Sequence, residues 1–227
     1  MASSGEVTVG YWLMRGRAGP VRNLLSYCGI PFLNKNYTSL EEWFAQDKSK
    51  MNCDYPNLPY LKDGDKIITE TNAILHYIPI KAGKRELLGD TDEKFIQVET
   101  ALSVNHDLAF EMMKFLFGDR EKFEAAKDEA FNKGRLKGIL AALDKNLTDR
   151  EWQTGFFSIA DFTLFEMVEM IYDMDGAKLE PYPHLLAFLE RFREIPEIKA
   201  HRESDKFVKL WFIPGRPCWT NAEASHK

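Results

Sequence analysis

The stretch from Tyr55 to Tyr77 contains residue types that could bind a carboxylate at the beginning of a helix. Asp63-Gly64 predicts a tight turn between two short strands, and the apolar spacing becomes helical after Thr71. Thr71 or Asn72 is placed to cap the first turn of that helix. Free N–H groups and a hydroxyl at a helix N-terminus can bind an anion. On this segment alone, a structural hairpin followed by a capped helix is an equally good interpretation.

A second candidate is Tyr11, near the end of a strand that the β-branched and aromatic residues of 7–12 predict. A tyrosine hydroxyl at the end of a strand can donate a hydrogen bond to a ligand. Taken alone, Tyr11 and Trp12 are by default interpreted as ordinary aromatic residues of a strand.

The elements that would position these residues fall into two regions. Residues 1–82 are predicted to form a β-α-β-α-β-β-α unit, which is the order of a thioredoxin-like domain. A helix that begins at Pro20 joins the first two strands, so these strands should be parallel. The composition changes at 83–90, the predicted linker, and residues 91–227 are predicted to form an all-helical domain.

The predicted helical domain includes a long helix over 92–117 and a further helical pattern over 120–147. Ser158 and Asp161 form an S-x-x-D capping box before a helix that is apolar nearly all round. That helix should therefore be the buried centre of the domain. We interpret the capping box as structural, because a cap explains both residues fully. The aromatic tail, 207–227, is expected to pack across the helices or to form one wall of an apolar pocket.

Composition and charge argue against several classes of function. The 227 residues carry 30 basic and 35 acidic side chains, and no basic patch favours nucleic acid as a partner. No apolar run has membrane-spanning length, and the N-terminus has no secretory signal pattern. Three widely spaced cysteines without a C-x-x-C pair suit reduced thiols in the cytoplasm. The five histidines are scattered and predict no metal site.

Two strings of residues resemble those of the cytosolic glutathione transferases. The string P-N-L-P-Y-L…T-E-T-N-A-I-L-x-Y-I, which begins at Pro56, resembles their glutathione-binding segment. The string V-G-Y-W-x-x-R-G, which begins at Val9, resembles the mu class in particular, whereas M-R-G-R-A, which begins at Met14, is similar to the related sigma type. The resemblance runs from about Val7 to about Pro217. It implies an α/β thioredoxin-like N-terminal domain followed by an all-α C-terminal domain.

The resemblance also implies roles for individual residues, with glutathione as co-substrate. Tyr11 matches the catalytic tyrosine, which would stabilise the thiolate of glutathione. The peptide bond before Pro59 is expected to be cis, and the backbone beside it would pair with the cysteine residue of the tripeptide. Thr71 would bind the γ-glutamyl carboxylate, and Asp107 would reach the γ-glutamyl ammonium across a dimer interface. The implied glutathione-binding residues are Trp12, Trp43, Lys48, Asn57, Leu58, Pro59, Glu70, Thr71 and Asp107.

Some positions allow two interpretations or depart from the family pattern. Either Trp43 or Phe44 takes the tryptophan position of the family, depending on where a gap falls. Glu70 stands where mu enzymes carry glutamine, and Asp107 could equally be a solvated helix charge. Phe117 replaces the usual tyrosine, which puts additions to epoxides in doubt. The hydrophobic substrate site is expected to include Met14, Phe110, Lys114 and Phe117.

A homodimer is the association that the resemblance implies. Tyr55 stands where mu proteins have an aromatic side chain that inserts into the partner subunit. Pro79-Ile80 replaces an Ala-Arg pair of the usual dimer contact. A proline at this point should end or kink the helix. We therefore expect a dimer, or a heteromeric contact, with altered details.

These observations predict a cytoplasmic glutathione transferase that conjugates glutathione to hydrophobic electrophiles, which is a detoxification reaction. The predicted enzyme does not use a metal ion. One alternative is a non-catalytic subunit or ligand carrier of the same fold in a larger protein assembly, because a fold does not determine function. A second alternative is a sigma-like glutathione-dependent isomerase or peroxidase.

Overall fold

The structure is a computed structural model that describes residues 6–213 and 217–219. These residues form two compact units. The first consists of 6–85 with 196–211, and the second of 86–195 with 212–213 and 217–219. The sequence predicted one helical domain from residue 91 onward and did not foresee that 196–211 belong to the first unit. The predicted linker, 83–90, stays a prediction.

The described residues contain four β-strands, which form one sheet, and eight α-helices. The strands are β1 (Val7–Trp12), β2 (Phe32–Tyr37), β3 (Tyr60–Asp63) and β4 (Lys66–Thr69). The helices are α1 (Gly19–Tyr27), α2 (Thr71–Ala82), α3 (Asp92–Leu116), α4 (Phe123–Asn132), α5 (Arg135–Asn146), α6 (Ile159–Asp175), α7 (Pro183–Arg193) and α8 (Pro196–Glu203).

The sheet of the first unit is mixed, with the strand order β2-β1-β3-β4. β1 and β2 are parallel, as the helical connection through α1 requires, and Pro20 lies in the first turn of α1. β3 is antiparallel to both β1 and β4, and the tight turn between β3 and β4 contains Gly64 with a positive φ of 59°. The predicted fold class, a thioredoxin-like unit followed by helices, is confirmed.

The two ends of α2 differ from the prediction. Glu70 is the residue before the first helical turn, and neither Thr71 nor Asn72 caps that turn with its side chain, so the predicted cap was wrong. Pro79 lies inside the helix, which continues to Ala82. The proline therefore does not end the helix. Its missing N–H removes only one bond near the C-terminus, where the buried face of α2 packs against α1.

Helix α8 and the segment after it belong to the first unit because they contact its sheet. We call residues 205–211 the strap. Lys206 in the strap donates from Nζ to the carbonyl of Phe32 at 2.9 Å, and its own carbonyl accepts from the Asn34 amide at 3.0 Å. His201 on α8 is 6% exposed, with its ring centroid 6.0 Å from that of Phe32 and 5.6 Å from that of Phe207. These contacts join α8 and the strap to β2.

The second unit is a helical bundle around α6. The faces of α6 that were predicted to be apolar are buried, and the helix packs against α3 and α7. The Asp161 carboxylate accepts from the Ser158 amide at 2.8 Å and from the Gln153 amide at 2.9 Å, and the capping box is present. The long helix predicted over 92–117 is confirmed as α3. The pattern over 120–147 is divided into α4 and α5, because Gly134 begins a new helix.

None of the helices in the described parts of the chain is long and apolar enough to cross a membrane. Cys28, Cys53 and Cys218 are all free thiols.

The packing of His201 predicts a pH-dependent stability. Burial, together with the smaller effects of the nearby cations Arg22, Arg15, Arg202 and Lys206, lowers the pKa of His201 to about 4. An unfolded histidine has a pKa near about 6.5, so below that pH the unfolded chain binds a proton that the folded chain rejects. The contribution of neutral His201 to the free energy of unfolding should therefore be complete above pH 6.5. It should be lost as the pH falls towards 4.

We expect the free energy of unfolding, measured by urea denaturation, to fall between pH 7 and pH 5 by about 2 kcal/mol more in the parent protein than in His201→Gln. His106, which is exposed, provides the matched control, and His106→Gln should keep the pH dependence of the parent. Equal pH dependence in the parent and in His201→Gln would contradict the assignment.

Candidate functional site

Tyr11 lies on β1 with only 5% of its surface exposed. Its hydroxyl oxygen accepts a hydrogen bond from the backbone N–H of Arg17 at 3.3 Å. The turn between these residues contains Gly16, whose φ is 39°. A β-carbon at Gly16 would lie 3.0 Å from the Tyr11 hydroxyl, so the close approach of the turn requires glycine.

The Tyr11 hydroxyl is a hydrogen-bond donor at neutral pH. Burial raises the pKa of Tyr11, while the Arg17 amide and the positive charges of Arg17 and Arg22 lower it by less. The phenol therefore stays protonated. Its oxygen is already an acceptor for Arg17, and among residues 6–213 and 217–219 no group accepts its proton. The proton is available to a ligand.

An aromatic surface with one cation lies beside the end of β1. The ring centroid of Trp12 is 6.4 Å from that of Phe44, and Nζ of Lys48 is 5.4 Å from the centroid of Phe44. Phe44 is 56% exposed. Trp12, Phe44 and Lys48 thus form one cluster that a small anionic group could reach.

Trp43 does not belong to that surface. It is 2% exposed, and its ring stacks on Tyr60 at 6.3 Å and contacts Tyr37 edge-on at 5.3 Å. A π-helical turn, Glu42–Asp47, points this side chain into the core and leaves Phe44 outside. The ring of Trp43 is part of the hydrophobic core and Phe44 is the exposed ring, while a role of Trp43 in binding stays a prediction. The spacing of the residues around Trp43 and Phe44 does not indicate which of the two rings is buried.

The segment before β3 lies outside the strands and helices. The peptide bond between Leu58 and Pro59 is cis, as predicted. No described residue forms a hydrogen bond with the backbone N–H or carbonyl of Leu58. The Asn57 amide donates to the Glu70 carboxylate at 2.8 Å, which links this segment to the N-terminus of α2. Sequence analysis did not detect this link, since nothing in the spacing of the two residues indicates it.

Glu70 and Thr71 meet at the beginning of α2. Glu70 has φ 67° and ψ 124°, a conformation that non-glycine residues rarely adopt and that is found mainly at functional sites. Thr71 is the first residue of the helix, and its hydroxyl lies 3.5 Å from the Arg17 carbonyl. The free amides of the first turn, together with the Thr71 hydroxyl, can bind a carboxylate. This turn therefore lies near the loop that contacts Tyr11.

The predicted residues of the second unit all lie on α3 or at its end. Phe110, Lys114 and Phe117 share one face by their spacing, and Phe110 and Phe117 are more than half exposed. Lys114 is paired with Glu111 at 2.7 Å, and the ring of Phe117 contacts Phe212 edge-on at 5.6 Å. The fourth residue predicted for this site, Met14, belongs to the first unit. Pro214 of the predicted aromatic tail lies outside the described residues.

Asp107 is an exposed residue with a partner in its own unit. Its carboxylate lies 2.5 Å from the guanidinium of Arg135, and its side chain is 46% exposed. Arg135 also lies 3.7 Å from Glu111. Both interpretations of Asp107, a ligand-binding group and a solvated helix charge, are compatible with this arrangement.

The described residues show no group of three or more His, Cys, Asp or Glu side chains that could hold a metal ion. The site in the first unit instead offers a phenol donor, a free stretch of backbone and a helix N-terminus. That combination suits a thiol-containing peptide with free carboxylates.

Two family models match the chain. The model described as "Glutathione S-transferase, N-terminal domain" matches residues 7–79, and the model described as "Glutathione S-transferase, C-terminal domain" matches residues 106–205. The first match contains β1 to β4, and the second contains most of the helical bundle.

Similar proteins cover almost the whole chain. Glutathione S-transferase Mu 4 of Mus musculus is 30% identical over 223 residues, which are 95% of this chain and 99% of that protein. The class-mu 26 kDa isozyme 51 of Fasciola hepatica is 34% identical over 204 residues, which are 88% and 90% of the two chains. The solved structure of the glutathione S-transferase Blo t 8 has a TM-score of 0.80 and 25% identity, and it covers 91% of this chain and 97% of its own.

Proposed function

We propose that this chain, which belongs to the glutathione S-transferase family, conjugates the thiolate of glutathione to hydrophobic electrophiles. The observation that carries the proposal is the hydroxyl of Tyr11, which is buried, protonated and without an acceptor among the described residues. The family is a family of transferases, and the relatives that cover this chain are named as mu-class enzymes. We place the reaction in the cytoplasm, as a detoxification step.

The chemistry follows from the donor that Tyr11 provides. A cysteine thiol has a pKa near about 8.5, so the thiol of free glutathione is mostly protonated at neutral pH. A hydrogen bond from the Tyr11 hydroxyl to sulfur stabilises the thiolate and lowers that pKa. The thiol proton leaves to solvent, while Tyr11 keeps its own proton. The sulfur lone pair then forms a bond to the electrophilic carbon, and the leaving group departs with its bonding electrons.

The other binding groups of the first unit suit the two ends of glutathione. We assign the open backbone of Asn57 and Leu58, before cis-Pro59, to the cysteine residue of the tripeptide. The Thr71 hydroxyl and the first amides of α2 suit the γ-glutamyl carboxylate, and the Glu70 carboxylate suits the γ-glutamyl ammonium. Trp12, Phe44 and Lys48 suit the glycine carboxylate. Phe44 replaces Trp43 in this assignment because Trp43 is buried.

The second substrate is a hydrophobic electrophile in this proposal. Phe110 and Phe117 offer exposed rings, and Lys114 adds a cation that its pairing with Glu111 largely neutralises. Met14, a residue of the first unit, stays a prediction for this substrate. Phe117 has no hydroxyl to assist the opening of an epoxide, so nucleophilic aromatic substitution is the reaction that we expect to be efficient.

The activity of Tyr11→Phe tests the thiolate chemistry. With 1-chloro-2,4-dinitrobenzene as the electrophile, we expect kcat/KM at pH 6.5 to fall at least about tenfold, because about 1.4 kcal/mol or more of transition-state stabilisation is lost. Retention on immobilised glutathione should persist in the variant, since the other binding groups remain. Tyr77→Phe, which removes a hydroxyl that donates to Asp63 on the same unit, is the matched control and should keep the parent rate.

Two outcomes would contradict this proposal. Retention of the parent protein on glutathione without any turnover would favour a ligand carrier or a non-catalytic subunit. An unchanged rate in Tyr11→Phe would remove Tyr11 from the chemistry.

We also propose that the chain forms a homodimer, in which Asp107 of one subunit can reach glutathione on the other. Tyr55 is 76% exposed, more than any other large hydrophobic residue among those described. The second unit has a largely apolar cavity of about 340 Å³ between α3 and α5, with Thr100, Ala101 and Leu143 in its lining. The ring of Tyr55 from a second copy would be buried there.

Tyr55→Ala should weaken the dimer at least about tenfold, because a large aromatic side chain is lost from the interface. Sedimentation equilibrium at micromolar concentration measures the effect. Leu40→Ala, at another exposed apolar residue of the first unit, should leave the association unchanged. A parent protein that is monomeric under these conditions, or a Tyr55→Ala variant that dimerises as well as the parent, would refute the proposed interface.

A further inference from the structure

A buried arginine joins the strap to the loop that follows β1. Arg15 is 3% exposed, and the centre of its guanidinium lies 3.6 Å from the ring centroid of Trp211, which is 1% exposed. The ring of Phe207, at the other end of the strap, lies 5.3 Å from the same guanidinium. A cation over the face of an indole is attracted strongly when both groups are removed from water. The strap is thus held against this loop by a desolvated contact.

The backbone of Arg15 is held at both of its polar groups. Its N–H donates to the carbonyl of Leu210 in the strap at 2.6 Å. Its carbonyl accepts from the amides of Ala18 at 3.0 Å and Gly19 at 2.8 Å, which are at the beginning of α1. The position of the turn after Arg15 therefore depends on the strap on one side and on α1 on the other.

The same turn supplies the hydrogen bond to the phenol of Tyr11. Arg17, two residues after Arg15, donates its N–H to the Tyr11 hydroxyl at 3.3 Å, and Gly16 between them lies against the tyrosine ring. A shift of the turn would change both the donor to the phenol oxygen and the space around the ring. The orientation of the hydroxyl proton is coupled in this way to the packing of the strap.

We propose that Arg15 and Trp211 are positioning residues for Tyr11, and that their stacked contact holds the turn whose Arg17 amide orients the phenol. This inference rests on the proposed function, because the orientation of the phenol matters for the reaction only if Tyr11 activates a thiol. Neither residue touches the substrate in this account. They act on the reaction through the turn, in the way that supporting contacts hold catalytic groups in productive geometry.

Loss of the stacked contact should affect the reaction and leave binding nearly unchanged. A less ordered phenol forms a weaker hydrogen bond to sulfur, so the bound thiol ionises at a higher pH. The proposed binding groups at Leu58 and Thr71 are on other segments and keep their geometry. The expected signature is a fall in kcat and a shift of the pH profile to higher pH, with little change in the affinity for glutathione.

The experiment compares Trp211→Leu with Trp211→Phe, which keeps an aromatic face for Arg15. In Trp211→Leu we expect kcat to fall at least about fivefold, and the lower pKa of the kcat/KM profile to rise by about half a unit or more. The Kd for glutathione, measured by calorimetry, should change less than about twofold. Trp211→Phe should restore most of the rate. Arg15→Met, which removes the charge and keeps an unbranched chain, should reproduce the same shift even if Trp211→Leu does not fold.

Arg191 provides a matched control, because its guanidinium lies 5.8 Å from the ring of Trp152 in the second unit. Arg191→Met should keep the parent pH profile. Normal kcat and pH profile in folded Trp211→Leu and Arg15→Met would overturn the inference. So would an equal loss of rate and of glutathione affinity, which a general disturbance of the unit would cause.

Tyr11→Phe and the double variant Tyr11→Phe/Trp211→Leu separate this inference from the proposed function. If Trp211 acts through Tyr11, the double variant should be no slower than Tyr11→Phe alone. Additive losses would overturn the inference while the role of Tyr11 stands. An unchanged rate in Tyr11→Phe would instead mean that the proposed function itself fails.

Discussion

A buried phenol needs partners for both its oxygen and its proton, and the described residues around Tyr11 provide a partner only for the oxygen. An unsatisfied buried polar group costs about 1–3 kcal/mol, so the Arg17 amide that meets the oxygen is a substantial local contribution. The turn that supplies this amide can approach because residue 16 is glycine. The proton is left for a ligand. The proposed role of Tyr11, donation of this proton to an anionic sulfur atom, uses this incomplete satisfaction.

Much of the first unit could be predicted because its signals are local. The parallel pair β1 and β2 follows from the helix between them, and the hairpin follows from Asp63-Gly64. The capping box of Ser158 and Asp161 is also a short-range pattern, and it was identified from four consecutive residues. The cis bond before Pro59 came from the resemblance to a family rather than from the residues themselves.

The failures of prediction concern contacts between distant parts of the chain. Whether Trp43 or Phe44 faces solvent depends on a π-helical turn and on packing against Tyr60, neither of which the spacing reveals. The pairing of the strap with β2 joins segments far apart in sequence. The cap expected at Thr71 failed because Glu70, with its positive φ, takes the cap position. In the first two cases tertiary packing decided between local options of similar energy.

The central claim is that the protein holds glutathione as a thiolate at neutral pH. The most direct measurement is the ultraviolet absorbance of the thiolate of bound glutathione, titrated with the parent protein between pH 5 and pH 9. We expect an apparent pKa at least about one unit below the value near 8.5 of an unperturbed cysteine thiol. Glutathione that is bound but ionises at its unperturbed pKa would contradict a thiolate-stabilising site.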